Sequence, residues 1–258
     1  MFDLKGKTAL VAGATQGLGF AMATGLGKSG ATIIFNDLFP ERIQKAQEQY
    51  KALGITAHGY QFNVTDSKAI DEAVSLMEQE IGPIDILVNS AGIMRKGSLE
   101  SLADEDWQAV LDVNLTAVFK VSKRVVRGMI ERKRGKIINI NSMMSELGRP
   151  TVGAYAAAKG GLKMLTKNMA VEWARYNIQT NGIGPGYHLS DITKPLADDP
   201  VFTKLLMSRT PAKRWGTPED LMGPAVFLAS EASDFVNGHI LYVDGGILAS
   251  FGDTEDLR

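Results

Sequence analysis

A glycine-rich turn near the start of the chain joins a mostly apolar strand to a helix. The run 7–12 is followed by Gly13, Gly17 and Gly19, and then by a helical pattern that continues to about Lys28. Glycine lets the backbone turn tightly and approach a ligand, and the first N–H groups of a helix attract an anion. Strand, turn and helix in this order are the context that a dinucleotide fingerprint requires. The spacing G-x-x-x-G-x-G differs from the commoner G-x-G-x-x-G, so a plain glycine-rich turn is the alternative.

Short apolar strands and helical patterns alternate along the rest of the chain. After the first strand, further strands are expected at 31–36, 56–62, 84–88, 136–141, 177–183 and 239–243. This alternation predicts a parallel sheet with helices on both faces. Because no repeat, low-complexity tract or change of composition divides the chain, we expect a single Rossmann-type doubly wound α/β domain over residues 1–258, with about seven strands.

Residues 187–216 interrupt this alternation. The segment contains three of the nine prolines and loses clear periodicity at both ends, although a short helix is expected near 200–208. Irregular segments that follow a strand often act as movable covers over a binding site. We therefore predict that residues 187–216 form a substrate lid.

The composition argues against several classes of function. The 258 residues carry a formal charge of −1, so the chain has no basic footprint for nucleic acid. No apolar run approaches the roughly 20 residues of a membrane-spanning helix, and the first residues lack the apolar core of a signal peptide. The chain has no cysteine, and its three histidines lie singly, which disfavours thiolate chemistry and a metal site. We expect a cytoplasmic protein that binds neither nucleic acid nor a membrane.

An acidic residue, Asp37, follows the second strand about 18 residues after the last glycine of the turn. A carboxylate at this place in a dinucleotide-binding unit accepts hydrogen bonds from ribose hydroxyls and repels a 2′-phosphate, which favours NAD over NADP. One alternative is that Asp37 caps the helix beginning near Pro40. Arg42 lies close enough in sequence to weaken the preference, so NADP stays possible.

A second candidate site spans residues 142–159. Ser142 lies at the carboxyl end of the strand 136–141, where open parallel sheets bind ligands. Tyr155 and Lys159 are four residues apart on a predicted helix, so their side chains share a face. A neighbouring ammonium group lowers the pKa of a phenol, which suits proton transfer to or from an alcohol or ketone oxygen. The pattern Y-x-x-x-K is short, and an interface tyrosine beside a solvated lysine is the alternative.

Asparagine and small residues mark two further positions. Residues 89–92, Asn-Ser-Ala-Gly, follow the fourth strand, where small side chains let a ligand approach the backbone. Asn114 lies within the helical stretch 104–131 among apolar neighbours. Asparagine is unfavourable inside a helix unless its amide has a partner, so Asn114 is a candidate site residue, with an exposed asparagine as the alternative.

These residues jointly resemble the motifs of the short-chain dehydrogenase/reductase family over nearly the whole chain. The matching positions are Gly13, Gly17, Gly19, Asn89 to Gly92, Asn114, Ser142, Tyr155, Lys159, Pro185 and Gly186. The resemblance implies that Tyr155 is the acid/base and that Ser142 orients the substrate oxygen. It implies that Lys159 lowers the tyrosine pKa and binds the nicotinamide ribose, and that Asn114 holds a water of a proton relay.

The same resemblance implies a nicotinamide cofactor, NAD or else NADP. Its expected site consists of Gly13, Thr15, Gln16, Gly17, Leu18, Gly19, Asp37, Asn63, Val64, Asn89, Ala91, Gly92, Tyr155, Lys159, Pro185, Gly186, His188 and Ser190. The chain departs from the family pattern at Ala12, Ser90, Asn63, His188 and Ser190. None of these departures removes a catalytic group, so they bear on affinity more than on reaction type.

A closer resemblance is to bacterial gluconate 5-dehydrogenases. It is carried by stretches that include 35–37, 142–149, 163–167, 181–187, 214–216 and 235–239. It implies a reversible oxidoreductase acting on a sugar acid, D-gluconate to 5-keto-D-gluconate, in a homotetramer. We expect Arg95 to bind the substrate carboxylate, because a guanidinium forms paired hydrogen bonds to it. Glu146 or Arg149 are candidates for contacts to sugar hydroxyls. The alternative is that all three are solvated loop charges.

Other functions stay open on the sequence alone. Within enzymes they are a 2-deoxy-D-gluconate 3-dehydrogenase and a 3-oxoacyl carrier-protein reductase. A protein that keeps the fold but only senses nucleotide is the non-enzyme alternative. Such a sensor is expected to lack the tyrosine or the lysine, and both Tyr155 and Lys159 are present.

Overall fold

The computed structural model describes residues 1–250 and contains a seven-stranded sheet. All neighbouring strands pair in parallel, in the order β3-β2-β1-β4-β5-β6-β7. The strands are β1 (Thr8–Ala12), β2 (Thr32–Asp37), β3 (Ala57–Gln61), β4 (Ile86–Asn89), β5 (Gly135–Ile140), β6 (Ile178–Pro185) and β7 (Ile240–Val243). The predicted Rossmann-type parallel sheet is confirmed, and each strand starts and ends within two residues of its expected bounds.

Nine α-helices connect these strands within the described residues. They are α1 (Gly17–Lys28), α2 (Pro40–Ala52), α3 (Ser67–Glu80), α4 (Asp104–Leu111), α5 (Ala117–Arg132), α6 (Gly153–Trp173), α7 (Lys194–Ala197), α8 (Pro200–Arg209) and α9 (Met222–Ala229). Between residues 1 and 250, none of them has both the length and the apolar character needed to cross a bilayer. The helix α8 agrees with the expected helix near 200–208, whereas the short helix α7 was not predicted.

The helices form two apolar cores, one on each face of the sheet. Successive strand residues point to opposite faces, so Val11 packs with α1, α2 and α9, while its neighbour Leu10 packs with α3 and α5. In β2, Ile33 and Phe35 join the first core and Ile34 the second. Both faces of every central strand are therefore covered, which explains why these strands are almost uniformly apolar.

The order of the strands determines where a ligand site lies. β1 is paired with β2 on one side and with β4 on the other, so the chain reverses its direction of winding between β1 and β4. In open parallel sheets the crevice at such a reversal, beyond the carboxyl ends of the strands, is the usual ligand site. The glycine turn after β1 and the residues 89–92 after β4 meet there.

The helical stretch 104–131 departs from the expected single helix. Residues Asp112–Thr116 form a π-helical turn between α4 and α5. A π-turn accommodates one extra residue in a helix and is often found at functional sites. Near the other end of the chain, a 3₁₀ turn, Pro218–Leu221, precedes α9.

Tyr50 on α2 braces the glycine turn from behind. The ring is fully buried, stacks on Phe20 with centroids 4.5 Å apart, and lies 5.1 Å from the ring of Phe35. Its hydroxyl donates a hydrogen bond of 2.7 Å to the carbonyl of Ala14, which belongs to the turn. A buried carbonyl that loses such a partner is costly, so this bond ties α2 to the turn.

Replacing Tyr50 by phenylalanine should destabilise the protein. The change keeps the ring contacts but leaves the Ala14 carbonyl without its donor, so we expect the free energy of unfolding to fall by about 1–3 kcal/mol. Tyr60 supplies the control, because its hydroxyl donates an exposed hydrogen bond of 2.6 Å to the carboxylate of Glu80. Tyr60→Phe should change the free energy of unfolding by less than about 0.5 kcal/mol. Urea denaturation measures both variants. Equal effects would contradict the bracing role of Tyr50.

Candidate active site

A cavity of about 400 Å³ opens beyond the carboxyl ends of β1, β2 and β4. It extends from Asp37 at one end, past the glycine turn, to Tyr155 at the other. Most of the residues expected to bind a dinucleotide line it, namely Gly13, Thr15, Gln16, Gly17, Leu18, Gly19, Asp37, Asn63, Val64, Ala91, Gly92, Tyr155, Lys159 and Ser190, and so does Asn114. The structure therefore brings together segments that are far apart in the sequence.

Two glycines of the turn are required by close backbone packing. A Cβ atom on Gly13 would lie 2.7 Å from the Cα of Ala91, and one on Gly19 would lie 2.3 Å from the carbonyl oxygen of Gly13. Gly13 and Gly17 both have positive φ, 76° and 61°, which disfavours other residues there. The side chain of Gln16 does not cap α1, so the first N–H groups of this helix face the cavity without a side-chain partner.

The far end of the cavity contains one carboxylate and one guanidinium. Asp37 accepts hydrogen bonds from the hydroxyl of Thr15 at 2.5 Å and from the N–H of Phe39 at 3.1 Å. The helix α2 begins after Phe39, so Asp37 does not occupy its capping position. Arg42 lines the same wall, with its guanidinium 4.6 Å from the centre of the Phe39 ring. An acceptor for ribose hydroxyls and a cation for a phosphate are thus both present.

Asn36 was missed by the sequence reasoning. Its amide oxygen accepts a hydrogen bond of 3.0 Å from the N–H of Gly13, and its amide nitrogen donates one of 3.1 Å to the carbonyl of Phe62. The side chain thereby holds the glycine turn against the loop after β3. A buried amide in an otherwise apolar strand, where Ile33, Ile34 and Phe35 precede it, was the available signal.

A second cavity, of about 130 Å³, adjoins the first at Tyr155, which lines both. Ser142, Arg149, Pro185, Gly186 and His188 lie in its wall. The remaining lining is largely apolar, with Met94, Met143, Met144, Val152 and Leu196. A substrate in the second cavity and a dinucleotide in the first would meet at the tyrosine hydroxyl.

The side chains of Ser142, Tyr155 and Lys159 converge where the cavities join. The ammonium of Lys159 is buried, donates a hydrogen bond to the carbonyl of Ile140 and lies 5.5 Å from the centre of the Tyr155 ring. The Ser142 hydroxyl accepts a hydrogen bond of 3.1 Å from the N–H of Met144 and also bonds the tyrosine hydroxyl. The predicted four-residue spacing on α6 does place the phenol and the ammonium on one face.

Burial, rather than the neighbouring ammonium, dominates the proton affinities of this pair. Desolvation raises the pKa of Tyr155, and the hydrogen bond with Ser142 opposes that rise. Desolvation also lowers the pKa of Lys159 to about 8. The four-residue spacing predicted that Lys159 would lower the tyrosine pKa. The net shift in this structure is upward, because enclosing a phenolate away from water costs more than the hydrogen bond with Ser142 returns.

Asn114 lies in the π-turn and is fully buried. Its amide nitrogen donates hydrogen bonds to the carbonyls of Ile93, at 2.8 Å, and Val110, at 2.9 Å. Its amide oxygen finds no hydrogen-bond partner among residues 1–250 and lies where a Cβ atom on Gly92 would approach to 2.7 Å. The amide is therefore held rigidly with its acceptor free beside the cavity, which explains an asparagine in this position.

Three of the expected site residues lie outside both cavities. Asn89 is buried and donates its amide hydrogens to Ser122, at 3.0 Å, and Asn139, at 2.9 Å. Arg95, expected to bind the substrate carboxylate, instead forms an ion pair with Asp106, with 3.2 Å between Nε and Oδ1. Because both partners are about half exposed, the structure places this guanidinium at the surface.

Glu146 is the third expected site residue that lies outside both cavities. Its carboxylate accepts hydrogen bonds from the ammonium of Lys163 and from the hydroxyl of Tyr242, and these bonds lower its pKa. The carboxylate is therefore already hydrogen-bonded to protein groups and does not line the cavity where the sugar hydroxyls were expected. Over residues 1–250, no group of histidine and carboxylate side chains suited to hold a metal ion is found.

Comparison with known proteins agrees with this geometry. A family model described as enoyl-(acyl carrier protein) reductase matches residues 13–248. The 2-dehydro-3-deoxy-D-gluconate 5-dehydrogenase of Formosa agariphila is 57% identical over 258 residues, covering 99% of this chain and 98% of that protein. The 5-keto-D-gluconate 5-reductase of Escherichia coli K12 is 55% identical over 250 residues, covering 97% and 98%. The chain belongs to the short-chain dehydrogenase/reductase family.

A solved structure within the short-chain dehydrogenase/reductase family supports the same assignment. The gluconate 5-dehydrogenase of Burkholderia cenocepacia J2315, in complex with NADP and tartrate, superposes with a TM-score of 0.94. It is 46% identical, and the alignment covers 96% of this chain and 98% of that one. At this identity the likeness extends beyond the fold. The resemblance noted from the motifs is thereby confirmed.

The glycine turn of this short-chain dehydrogenase/reductase gives a direct test of the larger cavity. In Gly19→Ala the new methyl group would overlap the carbonyl of Gly13, so we expect dinucleotide affinity to fall about tenfold or more. Gly223→Ala is the matched control, because Gly223 is exposed and a Cβ atom there meets nothing within 4 Å. Fluorescence titration with NADH and NADPH measures both. Unchanged affinity in Gly19→Ala would contradict this location of the site.

Proposed function

We propose that the protein transfers a hydride between a nicotinamide dinucleotide and C5 of a sugar acid, with D-gluconate and 5-keto-D-gluconate as the substrate pair. The observation that carries the proposal is the convergence of Ser142, Tyr155, Lys159 and Asn114 at the junction of the two cavities. The names of the similar Escherichia coli and Burkholderia cenocepacia proteins support this substrate.

A second candidate substrate is 2-dehydro-3-deoxy-D-gluconate. The Formosa agariphila relative, at 57% identity, carries the name of a dehydrogenase for that compound. The two candidates share a terminal carboxylate and reaction at C5, so they make the same demands on the proton-transfer residues. They differ at C2 and C3. The description of the family model concerns an acyl-carrier-protein substrate, and the relatives named above do not favour it.

Tyr155 is the proposed acid and base. Its hydroxyl would donate a proton to the substrate oxygen in ketone reduction and accept one in alcohol oxidation. Ser142 would hold the same oxygen by a hydrogen bond. The ammonium of Lys159 would bind the nicotinamide ribose and hold a proton close to the Tyr155 hydroxyl. The free amide oxygen of Asn114 would accept a hydrogen bond from a water that links the ammonium to solvent.

The larger cavity fits a dinucleotide in both shape and chemistry. The glycine turn and the free N–H groups of α1 would bind its phosphates, and Asp37 would bind the adenosine ribose. Asn63 and Val64 would contact the adenine, while Pro185, Gly186, His188 and Ser190 would hold the carboxamide. When bound, the nicotinamide supplies or accepts the hydride. Because Asp37 and Arg42 line one wall, we propose NAD as cofactor with NADP also accepted.

The proposal extends to the lid and the assembly. Residues 187–216 would cover the substrate, since Ser190 lines both cavities and Tyr187, Thr193 and Leu196 line the smaller one. The resemblance to gluconate 5-dehydrogenases supports a homotetramer, in which exposed apolar side chains such as Phe119, Met164, Val171 and Phe235 would be available to pack against another chain. We propose that this assembly acts in the cytoplasm.

Turnover tests the proposed function directly. Absorbance of the reduced nicotinamide is followed with D-gluconate and with 5-keto-D-gluconate, each with NAD(H) and NADP(H), and then with 2-dehydro-3-deoxy-D-gluconate. Tyr155→Phe should lower kcat/KM by about 100-fold or more and leave nucleotide affinity nearly unchanged. Clear nucleotide binding without turnover of any sugar acid would refute the substrate class. Full activity in Tyr155→Phe would refute the catalytic assignment and favour a nucleotide sensor.

The two directions of the reaction should depend on pH in opposite ways. Because burial raises the pKa of Tyr155, the phenol is protonated at neutral pH and is already competent as an acid. Alcohol oxidation needs the phenolate, whose population increases about tenfold per pH unit below the pKa. We therefore expect kcat/KM for D-gluconate to rise between about pH 7 and 10. In contrast, kcat/KM for 5-keto-D-gluconate should stay constant while Tyr155 is protonated and should fall at higher pH, where the phenol loses its proton. Oxidation that slows as pH rises would contradict this.

A further inference from the structure

One cation in the wall of the smaller cavity has no acidic partner. Among the described residues that line this cavity, Arg149 is the only lysine or arginine, and no aspartate or glutamate lies beside it. Within residues 1–250 its guanidinium forms no ion pair and donates one hydrogen bond, of 3.3 Å, to the hydroxyl of Tyr187. A guanidinium has five N–H donors, so most of its donors are available to a ligand.

The guanidinium of Arg149 lies over two aromatic rings. Its central carbon is 6.0 Å from the ring centre of Tyr187 and 6.0 Å from that of Phe202, at the limit of a cation–π contact. The two rings meet edge to face at 5.4 Å, and Trp215 packs on both, at 5.7 Å and 6.3 Å. These rings and the hydrogen bond to Tyr187 restrict the position of the group. Its remaining N–H donors are available to a carboxylate, which a guanidinium can bind bidentately.

Three other cations, on α6 and on the loop after β4, are already engaged. Lys159 donates to the carbonyl of Ile140, Lys163 pairs with Glu146, and Arg95 pairs with Asp106. The engagement of Glu146 matters in particular, because this carboxylate lies only three residues before Arg149 and would otherwise compete for its guanidinium. A carboxylate entering the smaller cavity therefore finds one available lysine or arginine side chain among the described lining residues, which also include Ser142.

We propose that Arg149 binds the carboxylate of the sugar-acid substrate and that Tyr187 and Phe202 hold its guanidinium in place. This inference rests on the proposed function and deepens it, since it moves the carboxylate contact from Arg95 on the loop after β4 to the loop after β5. Tyr187 and Phe202 belong to the segment 187–216, so the lid itself orders the group that recognises the substrate. Arg149 is a specificity-determining residue, and Tyr187 and Phe202 are positioning residues.

A pair of substrates that differ only in charge tests the proposal. D-Gluconate and D-gluconamide have the same carbon chain, but the amide lacks the negative charge. In Arg149→Ala we expect KM for D-gluconate to rise about tenfold or more, with kcat nearly unchanged, because a charge-assisted contact made in both ground and transition states is lost. The kinetic constants for D-gluconamide should change by less than about threefold. A purely structural loss would weaken both substrates equally and would overturn the proposal.

Two further variants sharpen the test. Tyr187→Phe removes the hydrogen-bond acceptor of Arg149 and keeps the ring, so a smaller rise in KM, again selective for D-gluconate, is expected. Arg175→Ala is the matched control, because this exposed guanidinium also lies over an aromatic ring, 4.8 Å from the centre of Tyr176, and lines neither cavity. A D-gluconate-selective defect in Arg95→Ala, with none in Arg149→Ala, would overturn the proposal and restore Arg95 as the carboxylate contact.

Calorimetric binding separates this inference from the proposed function. D-Gluconate is titrated into the wild-type protein and into Arg149→Ala, each saturated with NADH. Weaker binding in the variant supports the Arg149 site whether or not D-gluconate is turned over. Turnover by the wild type with equal binding by both proteins overturns the Arg149 site alone. No binding and no turnover by the wild type would overturn both.

Discussion

The close contact between the glycine turn and the loop after β4 determines the rest of the site. Gly13 lies against the backbone of Ala91, and Gly19 lies against Gly13, so no side chain fits between them. Tyr50 and Asn36 hold the turn from behind through the carbonyl of Ala14 and the N–H of Gly13. This contact lies between β1 and β4, where the direction of winding reverses, and it leaves the larger cavity open above it.

The proton-transfer groups are stabilised by hydrogen bonds rather than by solvent. Lys159 is buried but bonded to a carbonyl at the end of β5, and Tyr155 is bonded to Ser142. Enclosure disfavours the charged form of each group, raising the tyrosine pKa and lowering the lysine pKa. The hydrogen bonds of the folded site therefore replace only part of the hydration that would otherwise support a phenolate or an ammonium. Because both pKa shifts arise from this enclosure, a change in the access of water to the site would change the pKa of each group.

Much of this architecture could be predicted from local patterns, because alternating strands and helices determine the parallel sheet and the edge where its ligands bind. Sites that lie on a single segment, such as the glycine turn and the pair Tyr155 and Lys159, could be predicted for the same reason. Contacts between distant segments could not be predicted from local patterns. The carboxylate of Glu146 accepts a hydrogen bond from Tyr242, which is 96 residues away in the sequence. The residues around Glu146 therefore do not predict this bond. Arg95 lies close to a strand end in the sequence, but an ion pair with Asp106 holds it at the surface.

The π-turn at Asp112–Thr116 has a consequence for the packing of its whole helix. One extra residue rotates the later part of the helix by about 100° relative to a regular helix of about 3.6 residues per turn. Val110, before the turn, packs against Ala154 and Ala158 of α6, whereas Val121 and Val125, after it, pack on the sheet. The insertion that holds the buried Asn114 amide beside the larger cavity thus also sets the phase between two hydrophobic faces. A deletion that restored a regular helix would leave one of those faces pointing at the wrong neighbour, which links the position of this amide to the packing of the fold.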